Sequence, residues 1–174
     1  SQLDPAYGRV GNITQVNVEL LNALIEDGYI PVLAGIAMGE DGGFYNINAD
    51  IAAGAIAATI GAHKFIALTD VDGLYLDFED KTSLISNMTV EEAREMMESD
   101  SISTGMIPKL RSCVAAVDAG VMRAHIINGK TPHALLLELL TNSGVGTVIH
   151  GSEESYINEM HPLGKVAARL NVNQ

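Results

Sequence analysis

Tyr45-Asn46-Ile47-Asn48-Ala49-Asp50 runs directly into Ile51-Ala52-Ala53-Gly54-Ala55-Ile56-Ala57-Ala58-Thr59, and after Gly61 the chain continues as Lys64-Phe65-Ile66-Ala67-Leu68-Thr69. Polar side chains at 46, 48 and 50 alternate with apolar ones, the period of a strand that hands over to a helix. The helix is built almost wholly of small residues, so it can lie close to a neighbouring backbone. The six residues from Lys64 then read as a buried strand. Asn48 is a good N-cap, and Asp50 in the first turn complements the helix dipole. Asn46 has no such structural task. The stretch therefore has two readings: a capped helix start, or two amides and a carboxylate gathered around a small polar ligand and its charge partners.

The same alternation extends outward in both directions. Asn17 caps a helix over Val18 to Asp27, with Leu20, Leu21, Leu24 and Ile25 on one face and Gly28 at its end. Tyr29 to Ala37 reads as a buried strand, with Pro31 near its start, and Gly39 to Gly43 as a loop. Thr89-Val90-Glu91-Glu92 is a capping box opening a helix to about Glu98. A helix from about Ile107 to Ala119, a strand from Ala124 to Ile127, a helix from Pro132 to Leu140 and a strand from Thr147 to Ile149 follow. Leu135, Leu136, Leu139 and Leu140 are expected to face the core. Apolar strands separated by amphipathic helices give an α/β layered fold, with a largely parallel central sheet flanked by helices. Residues 1–150 read as one domain, and 151–174 as a tail with no assigned role and a short helix after Pro162.

Composition excludes several function classes. The 174 residues carry a net charge of −12, 47% hydrophobic and 18% charged residues, and no Trp. An acidic chain of this kind repels nucleic-acid phosphates. No apolar run reaches the roughly 18 residues of a membrane span. Ser1-Gln2-Leu3-Asp4-Pro5 has neither the basic start nor the apolar core of a signal peptide, and the one cysteine, Cys113, reads as a small core residue. Both fit the cytoplasm. Of the ten Lys and Arg residues, only Arg9 precedes Lys64, so any bound anion must be met by later cations or by backbone dipoles.

In open α/β sheets, ligands sit outside the carboxyl ends of the strands. Two loops qualify. Thr69-Asp70-Val71-Asp72-Gly73-Leu74 follows a strand directly; it reads as an Asp-Gly turn or as one wall of a site, and it lacks the oxygen spacing of an EF-hand. Ser101-Ile102-Ser103-Thr104-Gly105-Met106-Ile107-Pro108-Lys109 leads into a helix. Gly105 permits close backbone approach and Pro108 suits a first turn. Lys109 falls near the positive helix end, where a cation is disfavoured by about 0.3–1 kcal/mol. A bound phosphate reverses that sign; otherwise Lys109 is a solvated surface lysine. The Walker A pattern is absent, and no residue is assigned as a metal ligand.

In order and spacing, Tyr45 to Asp50, Leu68 to Gly73, Ile102 to Lys109 and His133-Ala-Leu-Leu-Leu-Glu138-Leu-Leu140 resemble the N-acetylglutamate kinases of the amino acid kinase superfamily. The resemblance runs from about Tyr7 to Ile149 and covers the C-terminal, mainly nucleotide-binding half of that family's chain. It implies phosphorylation of the γ-carboxylate of N-acetyl-L-glutamate by ATP with Mg²⁺, in arginine biosynthesis. It further implies that Asn46 and Asn48 belong to the acetylglutamate site and that Asp50 orients catalytic lysines. Lys109 would stabilise charge on the transferring phosphoryl group. Thr69, Asp70, Val71, Gly73, Leu74, Ser101, Ser103 and Gly105 would line the nucleotide. The segment from His133 to Thr147 resembles the arginine effector site of inhibited members, so Glu138 would pair with a guanidinium near Gly144. The full-length protein would form a homo-oligomer.

The chain departs from the family pattern at its start. The family's first-strand lysine before a glycine pair, its second glycine-rich loop and its substrate arginine have no counterpart: the one Gly-Gly, Gly42-Gly43, follows Asp41. The expectation is a C-terminal fragment, or one product of a split gene, inactive alone. The alternatives are a non-catalytic module that binds nucleotide or arginine and acts with a partner, and a related amino acid kinase.

Overall fold

Five helices alternate with short strands in a computed structural model that describes residues 3, 5–99, 102–103, 105–141 and 144–152. The helices are α1 (Val18–Glu26), α2 (Ala49–Thr59), α3 (Val90–Glu98), α4 (Ile107–Asp118) and α5 (Ala134–Leu140). The strands are β1 (Ile36–Met38), β2 (Phe44–Asn46), β3 (Lys64–Thr69), β4 (Leu74–Tyr75), β5 (Leu84–Ile85), β6 (Asn87–Thr89), β7 (Arg123–Asn128) and β8 (Thr147–His150). Local chemistry sets the helix starts. Asn17 Oδ1 accepts the Leu20 N–H at 3.0 Å, and Asn48 Oδ1 accepts those of Asp50 and Ile51. Thr89 and Glu92 form the reciprocal capping box. Gly61 ends α2 at φ 63° and Gly120 ends α4 at φ 103°, values a side-chain-bearing residue rarely takes.

The main sheet has the order β3-β7-β8-β6. β3 pairs in parallel with β7 from Lys64–Arg123 to Thr69–Asn128, and β6 pairs in parallel with β8. With two of its three pairings parallel, the sheet is largely parallel as expected; the third pairing, between β7 and β8, is antiparallel and makes the sheet mixed. The reason lies in α5. Seven helical residues span about 10 Å, about half the 20 Å length of a six-residue strand. Such a helix does not carry the chain back along β7, and β8 enters from the same end. Leu110, Cys113, Ala116, Ala124, Ile126 and Ile149 are fully buried between the helices and this sheet.

Two expectations fail. The strand foreseen over Tyr29 to Ala37 reduces to Ile36–Met38, which pairs antiparallel with Phe44–Asn46. Pro31 lacks an N–H, no described strand lies beside residues 30–34, and Ile30 and Val32 are exposed. In α5, Leu135, Leu136 and Leu140 are exposed, not buried; Ala134 and Glu138, one turn apart, face the sheet. The expected helix after Pro162 lies outside the described residues. Among the described residues, no helix is long and apolar enough to cross a membrane.

Candidate active site at the strand ends

The small residues of α2 bring it against α4. A Cβ on Gly54 would lie 3.0 Å from the Ser112 carbonyl oxygen and 3.3 Å from the Ser112 Cβ, so no larger residue fits at this separation. One turn before Gly54 is Asp50, and three residues before Ser112 is Lys109; Lys109 Nζ donates to Asp50 Oδ2 at 2.9 Å. The two contacts advance together, so the helices run side by side in one direction with adjacent N-termini. Short links, residues 60–63 and 119–122, lead from the helix ends to β3 and β7. Both helix starts therefore lie toward the carboxyl ends of those strands, where α/β sheets bind ligands.

The pair is partly open, each side chain being 23% exposed. It explains how a lysine is tolerated in the first turn of α4: Asp50 supplies the missing negative charge. α4 also differs from α1, α2 and α3 in having no side-chain cap. Among the described residues no side chain meets its first N–H groups, apart from the one Pro108 lacks, which leaves them available to an anion. Two helix N-termini, each worth about half a positive charge, and one ammonium against one carboxylate leave a local positive excess in a chain of net charge −12.

The second part of the site is tied across β3 and β7. Gly129 N–H donates to the Thr69 carbonyl at 2.8 Å. Asn128 Nδ2 donates to Asp72 Oδ1 at 2.8 Å, and Asn128 Oδ1 accepts the Lys130 N–H at 2.9 Å. The Tyr75 hydroxyl donates to Asp72 Oδ2 at 3.0 Å. The Asn128 amide, and then the Tyr75 hydroxyl, hold the Asp72 carboxyl below its ordinary range. Lys130 Nζ lies 3.8 Å from Asp70, with both side chains 74% exposed; at that exposure the pair is worth little, and the lysine is open to another anion. Asn128, Gly129 and Lys130 were not foreseen. Their signal was an Asn-Gly turn directly after a parallel strand.

Other foreseen residues divide clearly. Thr69, the last residue of β3, and Val71 in the loop after it are partly buried, and Asp70 between them is exposed. Gly73 and Leu74 turn inward instead: Leu74 is buried in the core, its N–H donates to Thr147 Oγ1 at 2.9 Å, and a Cβ on Gly73 would meet that oxygen at 2.5 Å. They anchor the loop and do not face the open end. Ser103 and Gly105 are exposed before α4, and a Cβ on Gly105 would meet nothing. Ser101 lies outside the described residues. Asn46 is exposed in β2, and its side chain makes no hydrogen bond among the described residues. Asn48 has the capping role, with its oxygen occupied by two N–H groups.

Glu138 is neither solvated nor open. Its Oε1 lies 2.7 Å from His125 Nδ1, its Oε2 accepts the Val145 N–H at 2.7 Å, and both side chains are buried. Burial pushes the Glu138 carboxyl up, but His125 and the Val145 and Gly146 N–H groups outweigh it and hold the group below its ordinary value. An ionised carboxylate only accepts, so Nδ1 carries the proton. Gly144, at φ 59°, is required here, because a Cβ would sit 2.8 Å from Glu138 Oε2. Cys113 lies on the buried side of α4, and burial pushes its thiol up to about 12.

A family model described as the amino acid kinase family matches residues 1–128. The chain belongs to the amino acid kinase family. Within the family it is 54% identical over 142 residues to the acetylglutamate kinase of Caldanaerobacter subterraneus subsp. tengcongensis, covering 82% of this chain and 48% of that relative. It is 51% identical over 152 residues to the acetylglutamate kinase of Petrotoga mobilis, covering 87% of this chain and 50% of that relative. The chain thus spans about half the length of the curated relatives it matches. Among solved structures it is similar to N-acetylglutamate synthase from Neisseria gonorrhoeae, determined with coenzyme A and L-arginine, at a TM-score of 0.76 and 27% identity. That match covers 83% of this chain and 33% of that one.

Proposed function

We propose that this chain carries the nucleotide side of an acetylglutamate kinase site, which transfers the γ-phosphoryl group of ATP to the γ-carboxylate of N-acetyl-L-glutamate in the cytoplasm. The observation that carries this reading is the Lys109–Asp50 pair where two helix N-termini meet beside the strand-end loops. In the transfer, a carboxylate oxygen bonds to phosphorus as the bond to the bridging oxygen breaks, leaving ADP and an acyl phosphate. The protein's part is positioned charge. Lys109 and the uncapped start of α4 meet the phosphoryl oxygens, and Asp50 fixes the direction of the ammonium. Thr69, Asp70 and Lys130 form the nucleotide wall, and Mg²⁺ arrives with the phosphates as part of the substrate. The exposed amide of Asn46 is assigned to the acceptor.

Acceptor and nucleotide are both anionic, and the family's first-strand lysine and substrate arginine have no counterpart in these 174 residues. The chain is therefore expected to bind nucleotide without turning it over. Calorimetry with a non-hydrolysable ATP analogue and Mg²⁺ tests this: Lys109→Ala removes a charge-assisted contact worth about 1.5–3 kcal/mol, weakening binding at least tenfold. Equal affinity of the two proteins removes Lys109 from the site. Acetylglutamate-dependent ADP release by the purified chain would show that its catalytic groups lie elsewhere. Arginine is assigned only a weak site. A guanidinium at Glu138 would have to displace His125 or the Val145 N–H.

A further inference from the structure

The main sheet is open at β6. The order β3-β7-β8-β6 places β6 last, and among the described residues no strand pairs with its outer side. A free row of N–H and C=O groups invites another chain, and proteins cover such edges with a helix or a loop. Beside this edge, between residues 82–88 and α3, runs a groove of about 690 Å³. Leu76, Leu84, Ile85 and Met96 give it an apolar lining, with Glu92 and Glu95 on its α3 side. α3 carries four glutamates, Glu91, Glu92, Glu95 and Glu98, against the single cation Arg94. Arg94 pairs with Glu91 and Asp118, which leaves Glu95 without an ion partner among the described residues.

Residues 153–174 lie outside the described residues, and their sequence supplies the complement. Pro162 suits the first position of a helix. Leu163, Val166, Ala167 and Leu170 then recur at i, i+3, i+4 and i+7, which is one apolar face. Lys165 and Arg169, one turn apart, flank that face, and residues 161–174 hold no acidic side chain. Eight helical residues span about 12 Å and the steps from Glu92 to Ser99 about 11 Å, so groove wall and segment match in length. A helix this short is marginal in water and needs a surface to pack on. The described chain ends beside that surface: β8 lies next to β6, with His150 opposite Thr89, the residue that caps α3. The link over residues 153–162 reaches up to about 33 Å, well beyond the roughly 5 Å between neighbouring strands. Such a tether holds the segment near the groove at a millimolar effective concentration, whereas a second copy, at a net charge of −12, is repelled. We propose that residues 163–170 form a helix that docks in the groove between β6 and α3 of the same chain. Its apolar face lies on Leu84, Ile85 and Met96, and Lys165 and Arg169 meet the glutamates of α3. The contact stands whether or not Lys109 binds phosphate.

Hydrogen–deuterium exchange of the full chain, read by mass spectrometry of its peptides, tests this. The amides of residues 166–170 should exchange at least tenfold more slowly than in an unstructured chain. Glu95→Lys, at an exposed position of α3, and Val166→Asp, in the segment itself, should each abolish that protection while exchange in β7 stays as in the parent. Ala168→Asp, opposite the apolar face, should leave the protection in place and so controls for helix propensity. Exchange of residues 166–170 at the unstructured rate, or protection indifferent to both Glu95→Lys and Val166→Asp, would overturn the inference. Protection that grows with protein concentration would also overturn it, because it marks the groove of a neighbouring copy.

Discussion

Gly54→Leu tests the link between the small-residue helix and the candidate site. The Cβ position on residue 54 is 3.0 Å from a backbone oxygen of Ser112, where ordinary contact begins at 3.4 Å. Alanine alone therefore forces α2 and α4 apart by about 0.4 Å, a strain roughly offset by the 0.8–1.0 kcal/mol by which alanine outranks glycine in helices. Leucine adds three more carbons against a backbone that no rotamer change relieves. Overpacking of this kind costs about 1–3 kcal/mol; taking the upper part of that range, less the helix-propensity gain, leaves a loss of about 2 kcal/mol. At a urea slope of about 2 kcal/mol/M the unfolding midpoint falls by about 1 M. Far-UV circular dichroism in urea reads this, with Ala53→Leu on the exposed side of α2 as the control that stays near the parent. Separation of the helices also draws Lys109 and the start of α4 away from the start of α2, so ATP-analogue affinity should fall with stability. A Gly54→Leu midpoint equal to that of Ala53→Leu would refute the packing argument and the assignment built on it.

Glu138→Ala leaves His125 and the Val145 N–H without their partner in the interior, and urea denaturation should show a loss of about 3–5 kcal/mol; Glu138→Gln keeps one acceptor and costs less. The Asp72 carboxyl is held below its ordinary range, chiefly by Asn128, so its folded pKa lies below its unfolded one. Its stabilising contribution is complete above an unfolded pKa of about 4 and is lost as pH falls through the folded value. Asn128→Ala should therefore separate from the parent in urea midpoint at pH 6 and converge with it in acid. The buried Cys113 thiol, pushed up to about 12, should react with a disulfide reagent only in the unfolded chain, timed by absorbance of the released thiolate. Calorimetry with arginine should give no saturable heat below millimolar concentration.

Local chemistry made most of the fold legible. Asn17, Asn48 and the Thr89–Glu92 box acted as caps because a cap needs only residues within one turn, all present in the sequence window. β7 was legible because a strand covered on both faces reads as a continuous apolar run, and β3 reads the same way although Leu68 on its second face is exposed. The same rule misled at Tyr29 to Ala37, where the run is apolar but no described strand lies beside residues 30–34. It misled again in α5: a leucine-rich helix reads as core-facing, yet a buried carboxylate with His125 and Val145 as partners decides which face turns inward. Neither partner lies within a helical turn of Glu138. In the candidate site, Lys109 stood out because it opposes a helix dipole; its partner Asp50, 59 residues away, is a matter of tertiary packing.

The pairing of Lys109 with Asp50 alters what the lysine can do. A bare ammonium at a helix start is an anion site in its own right; one held at 2.9 Å by a carboxylate has part of its charge already answered. Phosphate affinity then rests on what remains, the two helix starts and Lys130, while the carboxylate fixes where the ammonium points. Asp50→Asn and Lys109→Ala should consequently act in opposite directions on nucleotide affinity, the first tightening binding and the second weakening it, although both break the same contact and both lower stability. A pair that served packing alone would move the two affinities together or not at all. Comparison of the two variants by calorimetry with the ATP analogue, at one salt concentration because exposed charges are screened, therefore separates a phosphate-directed lysine from a structural ion pair.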